Sequence, residues 1–448
     1  MKHQMPKLRI IRLVGITSKN FVQNAYSSDP SLQYLDALDQ QNFFFRNDSV
    51  FNDYFDLKMR ELGIECQSII HDVQYIRDAW IRASDFELTG DSDFDLIVTA
   101  VRKFGANVVF EQSAGLLDCE MVLRLRHTIP DLAIIAAHIA APVDFDDYSQ
   151  HDLVFVGCES YLIPMKNSGC KNVFLLRHGF DKRLADKYAS PRRVYDLTFV
   201  GNSGYKNPSY WSRYKYLDQL SGTGLLQSWS RPDLARKERK RRVRGLAEQS
   251  KVGAVMLNCA RATIGLASHL FLGFIGAFRL PWLCGDKLAS HLNRYSSGYR
   301  LFRSVSFPLN WRFPQIPFYL RDDQGSHSQV FGSEMLRVLA KSKITFHRRA
   351  DLVDGCAGAM RLFEATGMGA MLLTDEDSDI GLVFEPGVEV VTYSSYEDCV
   401  EKIRYYLEHE SERELIAAKG QERTMKEHSL DSRFSFIAEQ LLKQIQND

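Results

Sequence analysis

The sequence has no charge imbalance. Lys plus Arg (56) equals Asp plus Glu (56) over 448 residues, so no global field draws in a nucleic acid or a uniformly acidic partner, and any polyanion site must be local. The eight cysteines are scattered, no two at the spacing of a zinc knuckle or a redox dithiol. That excludes both frameworks and reads the cysteines as reduced, mostly buried small hydrophobes. Secretion is not expected either, because the apolar run near the start is interrupted by Arg9 and Arg12, and the expected location is the cytoplasm. Ala262 to Phe278 is free of Asp, Glu, Lys and Arg. Its length is at the lower margin for a bilayer span and it contains Gly265, His269, Gly273 and Gly276, so it reads as a buried or interfacial helix.

What is present is an ordinary folding composition, 45% hydrophobic and 25% charged, in a chain too long for one core. Short β-rich runs alternate with helical stretches, the pattern of a parallel sheet covered by helices on both faces. Expected strands are Arg9–Val14, Asp95–Thr99, Asn107–Glu111, Leu132–Ala137, Leu153–Gly157 and Asn172–Leu176. After a break at Lys187–Val194 a second series opens with Tyr195–Val200 and continues with Ile344–Phe346, Ala370–Thr374 and Val388–Tyr393. The period of 3.6 residues predicts helices over Tyr396–Glu408 and Leu430–Gln444. The expected fold class is α/β, with two nucleotide-fold domains at 1–187 and 188–429 and a terminal helical segment at 430–448 that crosses back to the first domain.

The region 228–329 fits neither series and reads as an insertion in the second domain. It holds a basic run (Arg231 to Arg244), the apolar Ala262–Phe278 and an aromatic-rich tail. Together these give two expectations, a packed insertion or a peripheral contact of residues 231–278 with an anionic membrane surface on the inner face.

The segment that carries chemistry is Met360-Arg-Leu-Phe-Glu-Ala-Thr-Gly-Met-Gly-Ala370, preceded by Asp354-Gly-Cys-Ala-Gly358. A glycine-bearing loop entering a helix leaves free backbone N–H groups and the positive dipole end outward, where a diphosphate can dock. Gly358, Ala359 and Met360 form that entrance. Glu364 lies further along the helix, where a carboxylate takes hydrogen bonds from vicinal hydroxyls such as those of a ribose. The alternative for Glu364 is a helix-surface ion pair with Arg361. Arg361, on the first turn, is the best placed of several cations that include Lys206, Arg213, Lys341 and Lys343. Its alternative is the same kind of ion pair.

Here the chain resembles the GT-B glycosyltransferases of the GT4 type, in particular the CgeB-like or glycosyl-transferase-group-1 proteins. The resemblance runs through Tyr195-Asp-Leu-Thr-Phe-Val-Gly-Asn202, Val330-Phe-Gly-Ser-Glu334, Met360–Ala370, Phe384-Glu-Pro-Gly-Val388 and Ala418-Lys-Gly-Gln-Glu-Arg-Thr424. It implies two Rossmann-like domains facing a cleft, with a nucleotide-diphosphate sugar such as a UDP- or GDP-sugar held mainly by the second. A glycan, lipid-linked or protein acceptor would enter from the first. It further implies retention, independence of metal, a ribose contact at Glu364 and diphosphate binding over Gly358–Arg361. Where the family signature has a second Glu eight positions earlier, contacting the donor sugar, this chain has Cys356.

In the first domain His138 follows an apolar strand, which places it at the carboxyl edge. In the resembling family a His often stands there near the donor sugar. Asp144, Asp146 and Asp147 are acceptor-binding or base candidates. Asp375-Glu-Asp377 has the form of a metal-binding motif of another glycosyltransferase fold but follows a strand of the nucleotide domain, so no metal is expected. Gly201-Asn202 opens a glycine-bearing turn that lacks the full dinucleotide fingerprint, which disfavours hydride chemistry and leaves a phosphate contact. The expected function is glycosyl transfer. Its rivals are a binding protein of the same fold that lost activity, and a nucleotide-sugar 2-epimerase.

Overall fold

The computed structural model describes residues 7–16, 19–46, 52–83, 88–112, 115–140, 143, 145–205, 207, 210–231, 316–321, 325–351, 359–377 and 379–447. The membrane-contact segment, apart from Arg231, and most of the insertion lie outside these residues, as do Asp144, Lys206, Cys356 and Gly358. Among the described residues no helix is long and apolar enough to cross a membrane.

Short, near-continuously buried runs build two six-stranded sheets in which every pair is parallel. The first contains β1 (Arg9–Val14), β2 (Glu65–Ile70), β3 (Val108–Glu111), β4 (Ile134–Ile139), β5 (Leu153–Val156) and β6 (Val173–Leu175), in the order β2-β1-β3-β4-β5-β6. The second contains β7 (Tyr195–Val200), β8 (Leu226–Arg231), β9 (Ser326–Ser328), β10 (Ser342–Phe346), β11 (Met371–Asp375) and β12 (Val391–Tyr393), in the order β12-β11-β10-β7-β8-β9. The chain is therefore an α/β protein with two Rossmann-like halves. Each order reverses once, between β1 and β3 and between β7 and β10, and ligands of such sheets lie at the carboxyl edge beside that reversal.

Period two decides which face each strand residue covers. In the first sheet Ile11, Leu13 and Val109 join one cluster with Phe44, Trp80 and Phe94. Ile10, Val108 and Phe110 join another with Phe55 and with Leu430, Phe434, Ile437 and Leu441. Helix Leu430–Asn447 thus packs on the first sheet, although the chain enters it from the second half.

Asp95–Thr99 is helix, not strand, within Ser92–Phe104. The apolar run is buried on all sides, so its composition fits a buried strand equally well. The termini decide: Asp91 caps the amides of Asp93 and Phe94, and Gly105 closes the helix at φ 64°. β2 was not anticipated, because half-exposed Glu65 and Gln67 interrupt its apolar pattern. β12 begins only at Val391, since residues 387–390 form a turn in which Gly387 N–H donates to Val390 O (2.7 Å). Cys66, Cys119, Cys170 and Cys399 are free thiols, whereas Cys158 is disulfide-bonded rather than reduced.

Two strands of backbone join the halves. Phe180 N–H donates to His428 O (2.8 Å) and Leu430 N–H to Phe180 O (2.9 Å), so the outgoing and returning segments hold each other. Phe180 also presses on helix Met360–Gly367, where a Cβ at Gly367 would stand 2.6 Å from its ring. Further on, the Arg193 guanidinium donates to the carbonyls of Ala340 (2.7 Å), Met368 (3.1 Å) and Gly369 (2.6 Å). It thereby caps the ends of two helices, Gly332–Ala340 and Met360–Gly367, with the charge their dipoles favour. Arg193→Met strands those carbonyls and is expected to cost about 2 kcal/mol in urea unfolding.

Candidate functional site

The parallel sheets deliver the chain to one edge. Strand β10 ends at Phe346, and the segment that follows returns as helix Met360–Gly367, so the amino end of that helix stands at the carboxyl edge. Ala359 is its N-cap residue and makes no side-chain cap, which leaves the first-turn amides to other partners. β3 and β4 deliver Gln112 and His138 to the carboxyl edge of the first sheet.

These two edges meet. A cavity of about 570 Å³, open mouth included, is lined by Gln112, His138 and His178 from the first half, Met360 and Glu364 from the second, and Arg433 of the returning helix. Glu364 is 8% exposed. Its Oε2 accepts from Arg361 Nη1 at 2.9 Å, so the ion pair expected as the alternative for both residues is formed, and it is formed at the cavity wall. Arg361 also touches Met335.

His138 is buried, and its Nε2–H donates to Leu176 O (3.0 Å). A carbonyl only accepts, so Nδ1 carries the lone pair. Burial holds His138 neutral, at about 4. His178, whose ring lies 5.6 Å from that of His138, is pushed to about 3 by burial and by its neighbours His138 and Arg433. At neutral pH this wall offers neutral imidazoles, which accept or donate hydrogen bonds but hold no proton to release.

The remaining expected residues scatter. Gly201 and Asn202 follow β7 at the reversal of the second sheet, where Asn202 Oδ1 accepts from Gly204 N–H (2.9 Å). Neither borders the cavity just described. Lys343 is at the wrong edge: it stands near the amino end of β10, ion-paired with Asp196 at 2.7 Å. Strand direction, which composition does not reveal, puts it a strand's length from the helix entrance. Asp375 and Asp377 both pair with Arg349, so those carboxylates are already neutralised.

Sequence reading missed Arg348 and Arg349. They follow β10 directly, and a cation just past a strand end was the available signal. Arg213 donates through Nε and Nη2 to Arg348 O (2.8 and 2.6 Å), and Arg348 lies over the Tyr216 ring (4.2 Å). Burial, with the charges of Arg213, Arg361 and Arg348, drives the His347 imidazole to about 3. The carboxyl edge of β10 is thus electropositive beside the helix entrance. Gln112 was missed too. It accepts from the buried Arg12 Nε at 2.7 Å, and nothing local in the sequence marks it.

Residues 293–443 match a family model described as glycosyl transferase-like. Among solved structures, a glycosyltransferase from Rickettsia africae is similar at a TM-score of 0.50 and 10% identity, covering 99% of each chain. A sucrose-phosphate synthase from Thermosynechococcus elongatus is similar at 0.50 and 10%, covering 99% of this chain and 100% of that one. No curated protein matches in sequence.

Proposed function

We propose that this chain, whose residues 293–443 match a glycosyl transferase-like family model and whose two parallel sheets form a GT-B fold, transfers a sugar from a nucleotide-diphosphate donor to an acceptor hydroxyl. The observation that carries this reading is the placement of Glu364 and His138, from opposite halves, on the wall of one cavity. In this scheme the uncapped amino end of helix Met360–Gly367 and Arg361 receive the diphosphate. Their dipole and charge stabilise the negative charge that grows as it leaves, so no general acid is required. Glu364 accepts hydrogen bonds from the ribose hydroxyls, its orientation held by Arg361. His138, neutral and oriented by Leu176 O, presents a hydrogen-bonding group to the sugar rather than a proton. The donor is a UDP-, GDP- or similar sugar, the acceptor a glycan, lipid-linked sugar or protein, and the transfer is retaining and free of metal.

Glu364→Ala tests the site. Losing a carboxylate that grips polar hydroxyls is expected to weaken nucleoside diphosphate binding about thirtyfold, about 2 kcal/mol, in titration calorimetry. Unchanged affinity would remove the ribose assignment. Transfer is checked by release of the nucleoside diphosphate from its sugar, with and without acceptor. Nucleotide binding without turnover would make this a binding protein, and a product sugar differing at one carbon would make it an epimerase.

A further inference from the structure

A second cavity lies beside the first. It is lined by Arg46, Asn52 and Asp53 of the first half, Arg183 and Lys187 of the linker helix Lys182–Lys187, and Ser333 of helix Gly332–Ala340. The two cavities share Leu336 in their walls. In addition Asn52 Nδ2, on the second, donates to Asp181 Oδ2, on the first, at 2.9 Å.

Its charge is lopsided. Arg183 is neutralised by Asp181 (2.7 Å) and Asp53 (3.0 Å), and Asp53 is the only carboxylate among the described residues of the lining. Arg46 and Lys187 have no carboxylate partner among the described residues. Nor does Arg337, which lies 4.9 Å over the ring of Tyr188, another lining residue, and donates to Ser333 Oγ (3.2 Å). The helix that carries Ser333 begins at Gly332 without a side-chain cap, so its dipole adds positive potential from the same side. Arg46 and Lys187 on the lining, with Arg337 beside it and Lys187 5.2 Å over the same Tyr188 ring, thus leave this concave surface with a net positive potential that an anion would relieve.

We infer that this cavity binds a phosphate monoester carried by the acceptor. The inference rests on the glycosyl-transfer reading, since it treats the bound molecule as the acceptor. In the proposed scheme the donor diphosphate has Arg361 and its own helix end beside Glu364, and Arg46, Lys187 and Arg337 do not line that cavity. A dianion anchored by Arg46, Lys187 and Arg337 fixes one end of a sugar, while the shared wall at Leu336 sets its other end toward the cavity of Glu364 and His138.

The test is titration calorimetry of the full chain with inorganic phosphate, glucose 6-phosphate, fructose 6-phosphate and the two free hexoses, repeated on Arg46→Ala/Lys187→Ala. Both residues are exposed, so the double variant keeps its fold, which thermal unfolding verifies. At least one hexose phosphate is expected to bind tenfold or more tightly than its free hexose and than inorganic phosphate. The double variant is expected to lose at least tenfold for that ligand, with UDP affinity unchanged. The inference is overturned if none of the phosphates binds, if the variant binds them as well as the parent, or if inorganic phosphate binds as tightly as the sugar phosphates. A fall in UDP affinity in the variant overturns it too, by giving these cations to the donor. Failure of the glycosyl-transfer reading shows separately, as absence of nucleoside diphosphate binding to the parent.

Discussion

Acidification from pH 7 to pH 4 is expected to unfold this protein cooperatively, with a midpoint between about pH 6 and pH 4.5. Five histidines are held neutral by burial: His138, His151 and His428 at about 4, His178 and His347 at about 3. In the unfolded chain each titrates near 6.5. Between 6.5 and 4 the unfolded state therefore binds protons that the folded state refuses, and stability falls as pH falls.

Each group contributes about 1.4 kcal/mol per pH unit, so five contribute about 7. Two buried carboxyls oppose them, Asp375, whose ionisation burial disfavours, and more strongly Glu111. Glu111, fully buried at the end of β3, is pushed up to about 8 by burial, although it accepts from the amides of Leu116 and Leu117. Its folded form keeps a proton that the unfolded form loses above about 4.5, so Glu111 favours folding as pH falls through that window. The net slope is about 5 kcal/mol per unit, and one to two units consume a typical total of about 5–15 kcal/mol. Circular dichroism across the titration checks the midpoint, and unfolding at pH 5 should take up about four protons. A fold that persists at pH 3 would mean that these imidazoles charge within the native structure.

Gly420→Ala is expected to destabilise the protein by about 3 kcal/mol, although alanine is favoured over glycine within helices by roughly 1 kcal/mol. Gly420 lies within helix Glu410–Glu427, and a Cβ there would stand 2.3 Å from Glu389 O, a backbone atom that cannot rotate aside. The overpacking term exceeds the propensity gain. The same helix holds helix Met360–Gly367 through Thr366 and Thr424 (2.6 Å) and through Gln421 Nε2, which donates to Gly367 O (2.9 Å). Displacement at Gly420 therefore reaches Glu364, and nucleotide affinity should fall with stability. Urea unfolding measures the first effect and calorimetry the second. A variant as stable as the parent would show that the Glu385–Val390 turn yields freely.

Much of this molecule is local in origin and was legible in the sequence. Short β-rich runs give strands such as Arg9–Val14 and Tyr195–Val200 at their observed bounds, and the 3.6-residue period gives Tyr396–Glu408. A glycine-bearing approach to an amphipathic stretch predicts a helix entered at about Ala357; the helix found is Met360–Gly367, with Glu364 on it. Each needs only the stereochemistry of neighbouring residues.

What needed tertiary structure is everything that depends on strand order and direction. Direction removes Lys343 to the amino edge, and order brings Gln112 and His138 to the edge facing Glu364. The sharing of Leu336 by two cavities, and the excess of cations in one of them, arise because residues as far apart as Arg46 and Ser333 line one cavity. No spacing along the chain encodes such contacts, because they are made by the summed packing of both sheets rather than by any one segment.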